Sequence, residues 1–153
     1  MAFTADYATS PNRLTDLLRA AQKPSRVILS KILDEACTRI PNLAQSAKGR
    51  IVQLADLGAW NEVAFALIDL ELPEWKIRRL VHENGEWLCS LSRQPNLPIT
   101  LDDCAEATHD ALPLAILHAF LEACYRRRQL VISTGSRIQE PMGAHVVCCD
   151  NFG

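Results

Sequence analysis

The stretch WKIRRLVHENGEWLCSLSRQ, residues 75–94, decides the fold. Asn84 and Gly85 stand between two strand-like runs, and both residue types accept the positive φ angles of a two-residue type I′ turn. With that turn, His82 lies opposite Trp87, Leu80 opposite Cys89 and Arg78 opposite Leu91. One face of the hairpin then carries Leu80, His82, Trp87, Cys89 and Leu91. The other carries Trp75, Ile77, Val81 and Leu88 with Ser90 and Ser92. Both faces are part apolar, and a lone hairpin is marginal in water. Helices must cover one face, and partial cover or a second chain must meet the other.

Working outward, the segment 59–72 is nearly all apolar (Trp60, Val63, Ala64, Phe65, Leu67, Ile68, Leu70, Leu72), interrupted by Asn61, Glu62, Asp69 and Glu71. It reads as a helix buried around most of its girth and stopped by Pro73. After the hairpin, the prolines of PNLPIT resist ladder pairing. The acidic stretch 101–108 suits a short helical turn capped by Asp102 or Asp103. A strong helix follows over 113–128, with Leu114, Ile116, Leu117, Phe120, Leu121, Ala123 and Cys124 as its apolar set. His118 and Glu122 are one turn apart on the opposite stripe, and Arg126, Arg127 and Arg128 complement the helix dipole at its end.

Toward the N-terminus, Ser10–Pro11 is a helix-start signal, and Leu14, Leu17, Leu18 and Ala21 mark one apolar face. Ser25 caps a second helix with Val27, Ile28, Ile32, Leu33, Ala36 and Ile40 at helical spacing. The two read as an antiparallel pair joined at Pro24. Residues 42–50 read as a loop. Ile51, Val52, Leu54 and Leu57 suit a short helix ending at Gly58, with a strand at 50–54 as the competing reading.

The chain has 153 residues, 48% hydrophobic and 22% charged, with a formal charge of −2. A chain of this size buries about 69% of its extended surface, so a real core forms without disulfides. The composition excludes a disordered chain, a collagen and a long coiled coil. The near-neutral balance supplies no global field for phosphates, so nucleic-acid binding needs a local patch. The opening MAFTADYATSPNR lacks a secretory pattern, and no run reaches the ~20 apolar residues of a membrane span. A cytoplasmic location is the expectation. The expected fold is α+β: a mainly helical domain with an antiparallel hairpin over about 75–93 packed against helices. Residues 1–9 are expected to be a flexible tail, 10–129 a single domain, and 130–153 an edge strand or loosely ordered segment.

No HExxH, GxGxxG, P-loop or GxSxG motif occurs, so no cofactor is implied and catalysis has little support. The catalytic alternative is a cysteine/histidine hydrolase built from Cys104, His109, Asp110, His118 and Glu122; the competing reading of His118–Glu122 is a solvated ion pair. A zinc alternative uses His145, Cys148 and Cys149, but separated CxxC pairs are lacking. A second grouping joins Cys104 and His109 with Cys89 or His82. The six cysteines read best as reduced, small hydrophobes. A nucleic-acid alternative relies on hairpin and helix-end arginines, with Trp75 and Trp87 for stacking. The favoured reading is a small soluble protein-binding or regulatory protein without catalytic activity, homodimeric or bound to another protein. Its binding residues would be Trp75, Arg78, His82, Trp87, Arg126 and Arg127, because arginine and aromatic side chains concentrate binding energy.

Overall fold

Asn84 (φ 54°) and Gly85 (φ 81°) both take the left-handed backbone conformation, and the chain turns back at this dipeptide. The computed structural model describes residues 11–98 and 101–129. The turn joins β1 (Lys76–Glu83) to β2 (Glu86–Ser92). His82 lies opposite Trp87 and Leu80 opposite Cys89, as the turn requires. At the far end the register shifts between Ile77 and Arg79, so Ile77 rather than Arg78 faces Leu91. Arg78 is the extra residue of a bulge, which bends and twists an edge strand.

A third strand, β3 (Ala105–His109), pairs antiparallel with β2 and gives the sheet order β1-β2-β3. The sequence pointed to a helical turn in this region, and only Leu101 is helical there. In AEATH the residues Ala105, Ala107 and His109 are buried while Glu106 and Thr108 are exposed, the period-two pattern of a half-covered strand.

Five α-helices and one 3-10 turn complete the described chain: α1 (Pro11–Ala20), α2 (Arg26–Glu35), the turn Ile40–Asn42, α3 (Gln45–Asp56), α4 (Trp60–Glu71) and α5 over residues 112–129. Ser25 caps α2 by accepting the Ile28 N–H at 3.3 Å. Residues 45–50, read from sequence as loop, are the first turns of α3. That helix closes in a Schellman motif: Gly58 (φ 74°) donates to Ala55 O at 3.0 Å and Ala59 to Leu54 O at 2.9 Å. Leu72 and Pro73 end α4. Val27, assigned to an apolar face, is 64% exposed.

The most enclosed element is α5. Leu114, Ala115, Ile116, Leu117, His118, Ala119, Phe120 and Leu121 are all buried in unbroken succession. A helix apolar all round must be surrounded. Its side chains share one core with Leu14 and Leu18 of α1, Ile28 and Ile32 of α2, Val63 and Leu67 of α4, and Cys89, Leu91, Ala105 and Ala107 of the sheet. The fold is therefore α+β, with helices against one sheet face. No described helix is long and apolar enough to cross a membrane. Ser10, the expected tail 1–9 and the segment 130–153 lie outside the described residues.

Candidate functional site

The two faces of the sheet differ sharply. On the helix side, Cys89, Leu91, Ala105, Ala107 and His109 are buried. On the outer side, Arg79, Glu83, Glu106 and Thr108 are exposed, and Val81 and Leu88 are half-buried. β1 is an edge strand, pairing only with β2 among the described strands. Beyond the bulge its outward edge reads Arg79–Leu80–Val81–His82–Glu83. Strand alternation places Arg79, Val81 and Glu83 on the outer face. Glu83 also lies directly opposite Glu86 across the hairpin, a like-charge pair that is unfavourable.

A polar clamp closes the other end of the outer face. From the bulge, Arg78 donates to Asp102 Oδ2 at 2.6 Å, to Leu97 O at 2.6 Å and to Pro95 O at 3.1 Å. Ser92 also donates to Asp102, and the Cys104 thiol does so at 3.3 Å. The clamp brings Gln94 and Asp102 onto the Ser92 hydroxyl; Ser90 and Ser92 are buried although they face outward. The Ser92 hydroxyl, the thiol and the guanidinium together hold the Asp102 carboxyl below its usual range. The Cys104 thiol is pushed up, by burial first and by the neighbouring Asp102 charge, against a lowering contact from Ser90. A raised thiol beside a carboxylate is a poor nucleophile, since the thiolate is the reactive form.

On the helix side, the decisive polar residue is one the sequence reading counted as an interruption of α4. Glu71 is fully buried. Its carboxylate accepts the backbone N–H groups of Thr38, Arg39 and Ile40, each at 2.9 Å, and the Thr38 hydroxyl at 3.1 Å. Arg127 Nη1 pairs with it at 2.7 Å. The carboxylate thus caps the start of the 3-10 turn, whose first N–H groups otherwise lack partners. Burial alone pushes its pKa up; the backbone N–H groups and Arg127 more than reverse that, leaving it below the usual carboxylate range. The helix-end arginines are all tethers: Arg126 pairs with Asp103, Arg127 also donates to Glu71 O at 2.9 Å, and Arg128 donates to Glu35 O at 2.6 Å.

The expected binding residues are accordingly dispersed. Trp75 is buried, with the Arg93 guanidinium 5.9 Å from its ring centroid. Arg78, Arg126 and Arg127 are ion-paired. His82 is exposed and sits 4.7 Å from the half-buried Trp87 ring, centroid to centroid. Only this last pair lies at the hairpin surface.

The catalytic candidates do not converge on Cys104. His109 is buried: its Nδ1 accepts the Ala111 N–H at 3.0 Å and its Nε2 donates to Leu18 O at 3.2 Å, which ties β3 to α1. Both ring nitrogens are thereby committed to backbone. Asp110 is exposed. His118 is buried rather than solvated, and no ion pair to Glu122 forms among the described residues. Burial, aided by Arg19 and His109, holds the His118 pKa down. Among the described residues no group of three His, Cys, Asp or Glu side chains could hold a metal, so Cys104, His109, Cys89 and His82 do not form one. His145, Cys148 and Cys149 lie outside the described residues. Cys37, Cys89, Cys104 and Cys124 are free thiols, and burial pushes Cys89 and Cys124 up to about 12.

No protein-family model matches the chain, and no curated protein or solved structure is significantly similar to it. The reading of function therefore rests on the residues themselves.

Proposed function

We propose that the protein is a non-catalytic association module whose working unit is a homodimer joined edge to edge through β1. The observation that supports this is the self-complementary order of the outward edge, Arg79–Leu80–Val81–His82–Glu83. If two copies pair antiparallel with Val81 on the twofold axis, Arg79 lies across from Glu83 of the partner subunit, and Glu83 across from the partner's Arg79. Such an isologous contact closes on itself and stops at two copies. Each opposite-charge cross-strand pair contributes roughly 0.2–1 kcal/mol. The added cation also relieves the Glu83–Glu86 repulsion at the hairpin tip. The outer N–H and C=O groups of β1 gain ladder partners, the usual driving force of strand addition. Val81 meets its own copy and loses its remaining exposure.

Sedimentation velocity tests the proposal. The wild-type chain is expected to show a concentration-dependent dimer. Arg79→Glu and Glu83→Arg, each placing like charges across the axis, should each give a folded monomer. The double variant R79E/E83R restores the complementarity and should restore the dimer. A wild-type monomer at high concentration, or a dimer indifferent to the single reversals, would overturn the reading.

A further inference from the structure

A small cleft opens at the end of the hairpin away from the Asn84–Gly85 turn. Arg39, Arg93, Arg127, Glu71, Glu74 and Trp75 are among the residues that line it, and its volume is about 100 Å³. These residues come from distant parts of the chain: the start of the 3-10 turn, the exit from β2, the end of α5, and the α4–β1 connection. Arg39 is placed by its own backbone N–H, which donates to Glu71 at 2.9 Å. Arg93 lies over the Trp75 ring. Arg127 is held through Nη1 by the Glu71 carboxylate and carbonyl, and through Nη2 by Thr38 Oγ1 at 3.3 Å.

The charge count is unequal. Glu71 is saturated by three backbone N–H groups, a hydroxyl and Arg127, so this pair is internally balanced. Glu74 alone remains against the guanidinium groups of Arg39 and Arg93, neither of which has an ion pair or hydrogen bond among the described residues. A guanidinium carries five N–H donors, and the bonds of Arg127 employ at most three of them. Three of the residues lining the cleft, Arg39, Arg93 and Arg127, thus keep guanidinium donors without a partner among the described residues, around a space of three to four water volumes at ~30 Å³ each.

We propose that this cleft binds a phosphoryl group, as inorganic phosphate or as the head of a phosphate monoester. Three arginines brought to one cleft from separate elements suit a tetrahedral dianion with several acceptor oxygens, whereas a planar carboxylate is satisfied by one bidentate arginine. The volume admits the phosphoryl head and leaves any attached group outside. The site lies beyond the bulge from the proposed dimer axis at Val81, so its occupancy and the pairing of β1 are separately measurable.

The test is calorimetric titration of the full chain with inorganic phosphate at fixed ionic strength, with chloride as the control anion. The expected result is saturable 1:1 binding that chloride at the same concentration does not abolish. Arg39→Ala and Arg93→Ala should each weaken binding about tenfold, the loss expected for a charge-assisted hydrogen bond. Arg93→Lys should fall between, and Glu74→Gln should tighten binding. Circular dichroism checks that each variant is folded; Arg39 and Arg93 are both exposed, so their removal leaves the core intact. A phosphoserine peptide and its unphosphorylated form make up the second arm. A phosphopeptide tighter than phosphate identifies the monoester as the ligand, and the reverse order identifies the free ion. Absence of saturation by both, equal competition by chloride, or affinity unchanged in R39A and R93A would overturn the proposal.

Discussion

The two sides of the three-stranded sheet use the same strands for opposite ends. On the helix side, alternate residues of β2 and β3 are small or apolar and completely enclosed: Cys89, Leu91, Ala105 and Ala107. On the outer side the neighbours of those residues are charged, hydroxylic or half-buried, and among the described residues the clamp at Asp102 covers them at one end. The carboxylates follow the same division. Glu71, behind the sheet, joins segments more than thirty residues apart in sequence. Asp102, in front of it, joins a strand bulge to the loop that follows the next strand. Loss of a contact behind the sheet should therefore cost the whole fold, whereas loss in front should cost a local feature or an association.

The largest expected effect breaks the rear junction. Glu71→Ala leaves three backbone N–H groups without their acceptor and Arg127 without its ion-pair partner, and removing one partner of a buried pair costs about 3–5 kcal/mol. Chemical denaturation should show the midpoint falling accordingly, with Arg128 and the Cys37 region exposed together. Leu91→Ala, on the enclosed face, should cost about 2–5 kcal/mol. Val81→Lys, on the outer face, should leave the unfolding free energy of the monomer nearly unchanged while abolishing the dimer. If Leu91 and Val81 substitutions proved equally destabilising in a dilute monomer, the division between the faces would be wrong.

Acid should dissect the same division in two stages. His118 has a folded pKa below the ordinary imidazole value of 6.5, so its contribution to stability is complete above that pH and is lost as pH falls from 6.5 through the depressed value. The groups facing it are Arg19 on α1 and His109 on β3. His118→Gln should remove this first stage from a plot of stability against pH. The second stage begins below the ordinary carboxyl value of 4.5, where Glu71 must be protonated against its N–H partners. The smallest effect is expected at the front clamp. Asp102→Asn should raise hydrogen exchange across residues 93–98 and 101–104 and at Arg78 while leaving α5 protected, because the clamp holds a loop and not the core.

The parts of this architecture that were legible in the sequence are those set by near neighbours. The Asn84–Gly85 turn, the Ser25 cap, the Gly58 stop and the Pro73 stop each depend on a few adjacent residues, and each stands where the sequence placed it. The register held as far as Leu80 and failed at Arg78, because the bulge is tied to carbonyls at Pro95 and Leu97 that no local pattern reveals. β3 was missed because alanine has low strand propensity; Ala105 and Ala107 are buried on the enclosed face of the sheet. Glu71 was read only as an interruption of α4, and His118 as half of a solvated ion pair, whereas both are buried. An acidic residue at the last position of a mainly apolar helix, away from the face shared by Glu62 and Asp69, was the available signal for the first; nothing in the sequence marked the second. Trp75 was read as a surface anchor and is buried, and the distant Arg127 and Arg39 that line the same cleft were not foreseeable from the hairpin.

The edge-to-edge pairing of β1 is tested most directly by isotope-filtered NOE measurement on a mixed sample, in which half the chains carry 13C and 15N and half do not. The account predicts intermolecular contacts between the Val81 methyl groups of the two copies, and between Arg79 of one copy and Glu83 of the other, with none from β3. Intermolecular contacts confined to β3 or to the helices, or none at a concentration where sedimentation shows a dimer, would contradict it.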